Sequence, residues 1–342
     1  MTQDFKTIQS VGRNGLLSQI KNYDSFKHNN TVLGIGDDAA VLTGENGQHT
    51  LLSSDSYVEG VHFDLTYTPF QHLGYKIISA AISDILAMNG TPTSVLVNLA
   101  VPNRQSAQMI QDLYAGIYAA GKEYELEVVG GDLTANHANI VITVTVYGKV
   151  AEDLITYRSG ASVGDAICVT GDLGSALAGL RILTREKKFW EEHGNENVQP
   201  DLGDYEFVVK RQLVPTARQD VIHALAEHKI VPSAMIDITQ GLISEITELC
   251  NASKTGVYLY QAALPIAAET RAVADEMEED VDRYALFGGE DLELMFTLPE
   301  KDVESLIEKF NDFVVIGRMV PEDEGMAMQT AEGEVLNFDD LS

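Results

Sequence analysis

Apolar positions change their period along the chain, and the changes mark the elements. Between residues 72 and 88 they recur at helical spacing, with Ile78, Ala81, Ile82, Ile85 and Met88 on one face. Asn89-Gly90-Thr91-Pro92 follows, the order in which a helix ends, with glycine past the last turn and proline just beyond. Ahead of this helix, residues 5–28 read as a helical segment of irregular period. Residues 32–36 and 50–54 read as strands separated by a turn region at Gly44–Gly47, and Glu59-Gly60-Val61-His62-Phe63 as a loop. Residues 94–101 form a strongly apolar strand and 105–121 an amphipathic helix. Strands at 126–130 and 139–149 bracket Gly130-Gly131-Asp132.

A boundary falls near Ala151–Gly164. Beyond it come a strand at 166–170 and a Gly/Ala-rich helix at 173–183. The charged, Gly/Pro-punctuated stretch 187–206 has no clear period and reads as a surface excursion. Helix 216–228, strand 234–238, helix 242–251, strand 256–260, helix 266–277, strand 291–298 and helix 301–310 complete the pattern. Alternation in both halves predicts an α/β fold with mixed sheets, in two domains spanning 1–150 and 151–342.

Candidate chemistry lies where carboxylates interrupt apolar runs. The stretch Leu33-Gly34-Ile35-Gly36-Asp37-Asp38-Ala39-Ala40-Val41-Leu42 and its echo Leu51-Leu52-Ser53-Ser54-Asp55-Ser56 each set acids beside aliphatic side chains. Burying such a carboxylate is costly unless a cation or hydrogen-bond donors compensate it. Asp84 has Ala80, Ala81, Ala87 and Met88 as its neighbours one turn away on the predicted helix, none of them a cation. It is either solvent-facing or satisfied from outside the helix, and an anion near a helix C-terminus is disfavoured by the helix dipole. Asp132 follows two glycines, in a turn or where a ligand approaches. Asp237 interrupts the run Ala234–Ile238, and Glu290 and Asp291 follow Gly288-Gly289, where capping is the competing explanation. Taken together, Asp38, Asp55, Asp84, Asp132 and Asp237 form a set of hard oxygen donors that suits Mg²⁺ over a polyphosphate, without the spacing of an EF-hand loop.

Composition narrows the partners. Fifty-two acidic against 23 basic residues give a formal net charge of -29, a field that repels nucleic acid and anionic membrane. A phosphorylated ligand therefore needs local compensation, from metal ions or from cations such as Arg158, which either clamps phosphate or lies on the surface. His62, between Val61 and Phe63, is either a packed histidine or a substrate contact. Two distant cysteines, Cys168 and Cys250, make no metal site or disulfide framework and read as core thiols. No zinc spacing and no GxxxxGK[ST] loop occurs. Gly34-Ile35-Gly36-Asp37-Asp38-Ala39 is a poor dinucleotide loop because its aspartates would face a pyrophosphate. No apolar run of 18 residues exists and Met1-Thr2-Gln3-Asp4 starts no signal peptide, so a cytoplasmic protein is expected.

Seven ordered motifs, GIGDDAAVL (34–42), SSDSYVEGVHF (53–63), ISDILAMNGTP (82–92), GGDLT (130–134), YRSGA (157–161), IDITQGLISE (236–245) and GGEDLEL (288–294), resemble the thiamine-monophosphate kinase family, within the superfamily that includes aminoimidazole ribonucleotide synthetase. The resemblance runs from about residue 8 to residue 320. It implies transfer of the γ-phosphoryl group of ATP to thiamine monophosphate, dependent on Mg²⁺. Metal ligands would match Asp38, Ser53, Ser54, Asp55, Asp84, Asp132 and Asp237. ATP contacts would match Tyr114, Gly131, Asp132, Arg158 and Thr239, and substrate contacts His62 and Glu290. By family match Asp38 is the ligand and Asp37 a structural neighbour. The resemblance also implies a homodimer formed through an N-terminal ATP- and Mg-binding domain, with the C-terminal domain closing the cleft.

The chain departs from the family pattern at Gln240, where the family carries a carboxylate, and in its ending, Asn337-Phe338-Asp339-Asp340-Leu341-Ser342, which lacks the family's terminal aromatic residue. Two alternatives follow: another ATP-using enzyme of the superfamily, or a nucleotide-binding relative without turnover. Neither cysteine lies where a selenium-handling or maturation-type relative would carry one.

Overall fold

The computed structural model describes residues 7–21, 28–193 and 202–341. Helix α1 (Ile8–Lys21) bends at Gly12, whose φ of 71° breaks the helix and accounts for the irregular apolar period. The predicted segment 5–28 lies partly outside the described residues. Strands β1 (Thr31–Leu33), β2 (Ala40–Thr43) and β3 (Gln48–Val58) follow, then α2 (Phe70–Ala87), β4 (Thr91–Pro102), α3 (Ala107–Glu123), β5 (Glu127–Asn136) and β6 (Val141–Ala151). These six strands form one mixed sheet in the order β1-β2-β3-β6-β4-β5, antiparallel except for the β4–β5 pair.

The remainder comprises β7 (Ala166–Thr170), α4 (Ser175–His193), α5 (Glu206–Leu213), α6 (Gln219–His228), β8 (Ala234–Ile238), α7 (Leu242–Ser253), β9 (Gly256–Tyr260), α8 (Ala268–Glu276), α9 (Val281–Phe287), β10 (Glu293–Leu298), α10 (Glu300–Ile307), β11 (Phe313–Val320), β12 (Met326–Gln329) and β13 (Val335–Asn337). Its seven strands form a second mixed sheet, β13-β12-β9-β11-β7-β10-β8, in which only β9 and β12 run parallel.

Helix α2 organises both halves. Its apolar residues Leu73, Ile77, Ile78, Ala81, Ile82 and Ile85 are buried. One hydrophobic core joins them to Val95, Val97, Ile142 and Val144 of the first sheet and to Met235, Leu294 and Phe296 of the second. A helix that is apolar nearly all round is a buried helix. Two glycines let α3 approach: a Cβ on Gly116 would stand 1.9 Å from the carbonyl oxygen of Gln71, and one on Gly74 2.0 Å from that of Leu113.

Three readings need correction. The stop after α2 is made by Asn89, which takes the left-handed conformation (φ 58°), while Gly90 N–H closes back on Ile85 O at 3.0 Å. Thr91 and Pro92 already belong to β4. Gly130-Gly131-Asp132 is not a turn but the middle of β5, because Gly131 lies where any Cβ would meet Val97 O of β4 at 1.8 Å. The stretch 187–206 begins as the continuation of α4 to His193; the rest of it, as far as residue 201, lies outside the described residues. Helices α5 and α9 and strands β2, β11, β12 and β13 had no counterpart in the periodicity reading. Cys168 and Cys250 are both buried, as core thiols are. No described helix is long and apolar enough to cross a membrane.

Candidate active site

The carboxylates enter one cleft from four elements. Asp38 sits on the bend between β1 and β2, Asp55 on β3, Asp84 near the end of α2 and Asp237 on β8. Together with Arg158, Thr239, His62 and Glu290 they line a cavity of about 350 Å³ between the two sheets. Oxygens of Asp38, Asp84 and Asp237 lie within 4.8 Å of one another. Two carboxylates at that distance repel by about 3 kcal/mol at an effective dielectric of 20. Arg158 brings one positive charge against three, so a surplus of negative charge remains.

The surplus shows in the acidities. Burial raises Asp84 well above the usual carboxylate range, and the charges of Asp237 and Asp55 push it further. Asp237 rises through burial and then through Asp38. Asp38 rises through burial although Arg158 opposes the shift. For Arg158 itself, burial works against the cation but the hydrogen bond and charge of Asp38 outweigh it. Its Nε donates to Asp38 Oδ2 at 3.2 Å, and its Nη2 pairs with the other Asp38 oxygen.

Asp37 does not line this cavity. It accepts from the backbone N–H groups of Asp38 (3.0 Å) and Arg158 (3.2 Å), so it ties the GIGDD bend to the segment that carries Arg158. Burial and the neighbouring Asp38 push its carboxyl up to about 7.

Strand alternation sorts the serines. On β3, Leu51, Ser53, Asp55 and Tyr57 face the helices, while Ser54 and Ser56 are exposed on the other face. Ser53 is buried and its Oγ donates to Ala81 O at 3.4 Å, whereas Ser54 Oγ bonds Thr145 Oγ1 at 3.0 Å. The cleft therefore receives Asp55, with Ser53 behind it, and Ser54 points elsewhere.

Gly131, Asp132 and Tyr114 are not brought into this cavity. Asp132 is exposed on edge strand β5, in register with Asn98, Thr143 and, three strands away, Ser56. That offset is about 14 Å at ordinary strand spacing. Tyr114 lies half-buried on α3 with its ring against Tyr118.

Glu290 is presented by strained backbone. Both it (φ 66°) and Leu292 (φ 55°) hold left-handed conformations, fixed by Glu290 N–H to Thr239 O at 3.0 Å and Leu292 N–H to Ile238 O at 3.2 Å. Strain of this kind costs of order 1–3 kcal/mol per residue and collects at functional sites. Asp291, next to it, does cap a helix: it accepts from Gly174 N–H (2.7 Å) and Ala176 N–H (3.0 Å) at the start of α4. His62 accepts from Val58 N–H through Nδ1 at 3.0 Å, and its ring stands edge-on to Tyr57.

Two cleft residues escaped the sequence reading. Glu245, in the first turn of α7, is buried and accepts from Gln240 N–H at 2.9 Å. Lys76 reaches in from α2. The test applied to Asp84 would have found Lys76, whose neighbours one turn away, His72, Leu73, Ser79 and Ala80, include no acid.

A divalent cation fits the donor set. Three hard oxygen ligands lie within reach of one ion, the surplus charge is negative, and Asp237 Oδ2 is buried without a hydrogen-bond partner.

Comparison with known proteins extends over most of the chain. Residues 36–150 match the model of the AIR synthase related protein N-terminal domain, and residues 162–328 that of the C-terminal domain. A Bacillus subtilis thiamine-monophosphate kinase is 34% identical over 82% of this chain and 82% of its own. The Aquifex aeolicus thiamine-monophosphate kinase is 32% identical over 93% and 94%. Among solved structures, AaThiL complexed with AMPPCP and TMP superposes with a TM-score of 0.81 at 30% identity, covering 97% of each chain.

Proposed function

The chain belongs to the AIR synthase related family, among the thiamine-monophosphate kinases, and on that premise we propose that it transfers the γ-phosphoryl group of ATP to thiamine monophosphate, giving thiamine diphosphate and ADP. The observation that carries this reading is the cleft itself, in which Asp38, Asp84 and Asp237 converge beside Arg158 at the junction of the two sheets. The relative complexed with AMPPCP and TMP supports it.

Phosphoryl transfer asks the protein mainly for positioning and charge stabilisation. Mg²⁺, held by Asp38, Asp84 and Asp237 with Asp55 beside them, would offset the repulsion between two phosphate groups. Arg158 has a planar fork suited to phosphate oxygens, and Asp37 fixes the backbone that carries it. Thr239, at the end of β8, offers a hydroxyl to the nucleotide, while His62 and Glu290 face the acceptor side. The acceptor phosphate is already ionised near neutral pH, so the transfer proceeds in line without a strong general base and without a phosphorylated enzyme.

Incubation with Mg-ATP and thiamine monophosphate, followed by chromatography, is expected to yield thiamine diphosphate. Asp55→Asn is expected to abolish it; near-normal turnover in that variant would remove the carboxylate site from the mechanism.

The assembly proposed is a homodimer through the first sheet. Its helices cover one face only. The other exposes Leu96 (42%), Val129 (53%) and Tyr147 (36%) beside the hydroxyls of Ser54, Ser56, Thr143 and Thr145, a mixed surface for a second copy.

A further inference from the structure

The proposed transfer leaves Lys76, the buried cation on α2, without a task. Lys76 is carried on α2 in the apolar run Leu73-Gly74-Tyr75-Lys76-Ile77-Ile78, with 6% of its side chain exposed. Its ammonium donates to Gln212 O at 2.9 Å and to Glu290 Oε2 at 2.5 Å. Lys76, Ala80 and Asp84 stand one turn apart and line the carboxylate cavity as a ridge. The Cα atoms of Lys76 and Asp84 are thus about 12 Å apart along the helix, and both side chains reach into the one cavity.

Its place between cavities is informative. A second cavity of about 230 Å³, walled by Phe63, Tyr67, Leu177 and Leu180, shares His62 and Glu290 with the first. Glu290 therefore stands where the two cavities meet, with Lys76 on the side of the carboxylate cavity.

We propose that Lys76 is the binding residue for the acceptor's phosphate, and that the Lys76–Glu290 pair is exchanged for two ion pairs when the acceptor enters. The inference rests on the kinase reading above and adds a residue to it. Thiamine monophosphate carries a cationic ring and an anionic phosphate. Glu290 takes the ring cation and Lys76 the phosphate, so no buried charge loses its partner. Glu290 is the more exposed half of the pair, with 35% of its side chain accessible against 6% for Lys76. Arg158, the other full cation lining the carboxylate cavity, is held by Asp38 and Asp37. Lys76 is the cation there whose carboxylate partner has a substitute in the acceptor itself.

The test compares the affinities of thiamine monophosphate and unphosphorylated thiamine for the full chain, measured by calorimetry with Mg²⁺ and AMPPCP present. Lys76→Met is expected to lower the ratio of the two affinities at least tenfold, weakening thiamine monophosphate but not thiamine, and leaving AMPPCP binding within twofold of wild type. Because the single change strands Glu290, the double variant Lys76→Met/Glu290→Met, which replaces the pair by apolar groups, is measured alongside, and the same fall in ratio is expected. An unchanged ratio in a folded variant overturns the assignment, as does an equal loss for both ligands. Wild type that makes thiamine diphosphate while the ratio stays unchanged removes Lys76 alone. Wild type that makes none removes the kinase reading and this inference with it.

Discussion

At the scale of single residues, the carboxylates were legible because each interrupts an apolar run, where an unpaired charge is conspicuous. Asp84 and Asp237 were found that way, and the same physics governs their behaviour. Replacing Asp237 by Asn removes one of three repelling charges, so the metal-free protein is expected to become more stable. Mg²⁺ at a hundred times its Kd should stabilise wild type by about 2.7 kcal/mol. Thermal unfolding with and without Mg²⁺ should show most of that gain lost in Asp237→Asn; a full gain would place the metal elsewhere. Asp132 was less legible, because a sequence motif does not tell which face or edge of a sheet a residue occupies. Asp291 supports a pH prediction outside the metal group. Burial holds its carboxyl at about 7 although Arg211 and two backbone N–H groups favour the charged form, while an unfolded Asp titrates near 3.9. Between those values the folded state keeps a proton the unfolded state has lost, so this group's contribution is full below about pH 4 and falls as pH rises to about 7. Urea unfolding across that range should show a declining stability whose slope is shallower in Asp291→Asn.

Elements were legible where one period runs long enough. Helix α2, strands β7, β8 and β9, and helix α7 were read to within a few residues because each buries a whole face. Helices α5 and α9 are only eight and seven residues long, and α5 follows directly on the stretch 187–206 that has no clear period. Strands β11 and β12 come late, with β11 interrupted at Gly317, where the register shifts between Val315 and Gly317. The contact between α2 and α3 was invisible for a different reason: glycines at 74 and 116 look like weak points of two helices until the helices are seen to touch there. Gly116→Ala is expected to force them apart and destabilise the protein by about 3 kcal/mol, the upper range for overpacking, since backbone rather than a flexible side chain stands in the way. Chemical denaturation would measure it. A loss under 0.5 kcal/mol would mean that α3 moves aside freely, and that α2 owes its placement to the sheets alone.

At the scale of the molecule, the cleft of one chain accounts for Asp38, Asp55, Asp84, Asp237, Arg158, Thr239, His62 and Glu290, but not for Asp132, Gly131 or Tyr114. A bound Mg²⁺ holds its ligands at about 2.1 Å, so an aspartate some three strands from β3 does not share an ion with Asp55 in the same chain. Either Asp132 has no part in the site, or it acts from a second copy seated on the uncovered face of the first sheet. Leu96→Glu separates the two. A charge at Leu96, on that uncovered face, costs an interface a few kcal/mol while leaving the opposite, helix-covered face untouched. Sedimentation should then show a monomer with wild-type thermal stability. If Asp132 works from the partner, thiamine diphosphate formation falls at least tenfold and Asp132→Asn in the dimer falls with it. If the monomer keeps its turnover, the eight residues of the single cleft suffice, and the GGDLT motif serves only to lay β5 against β4.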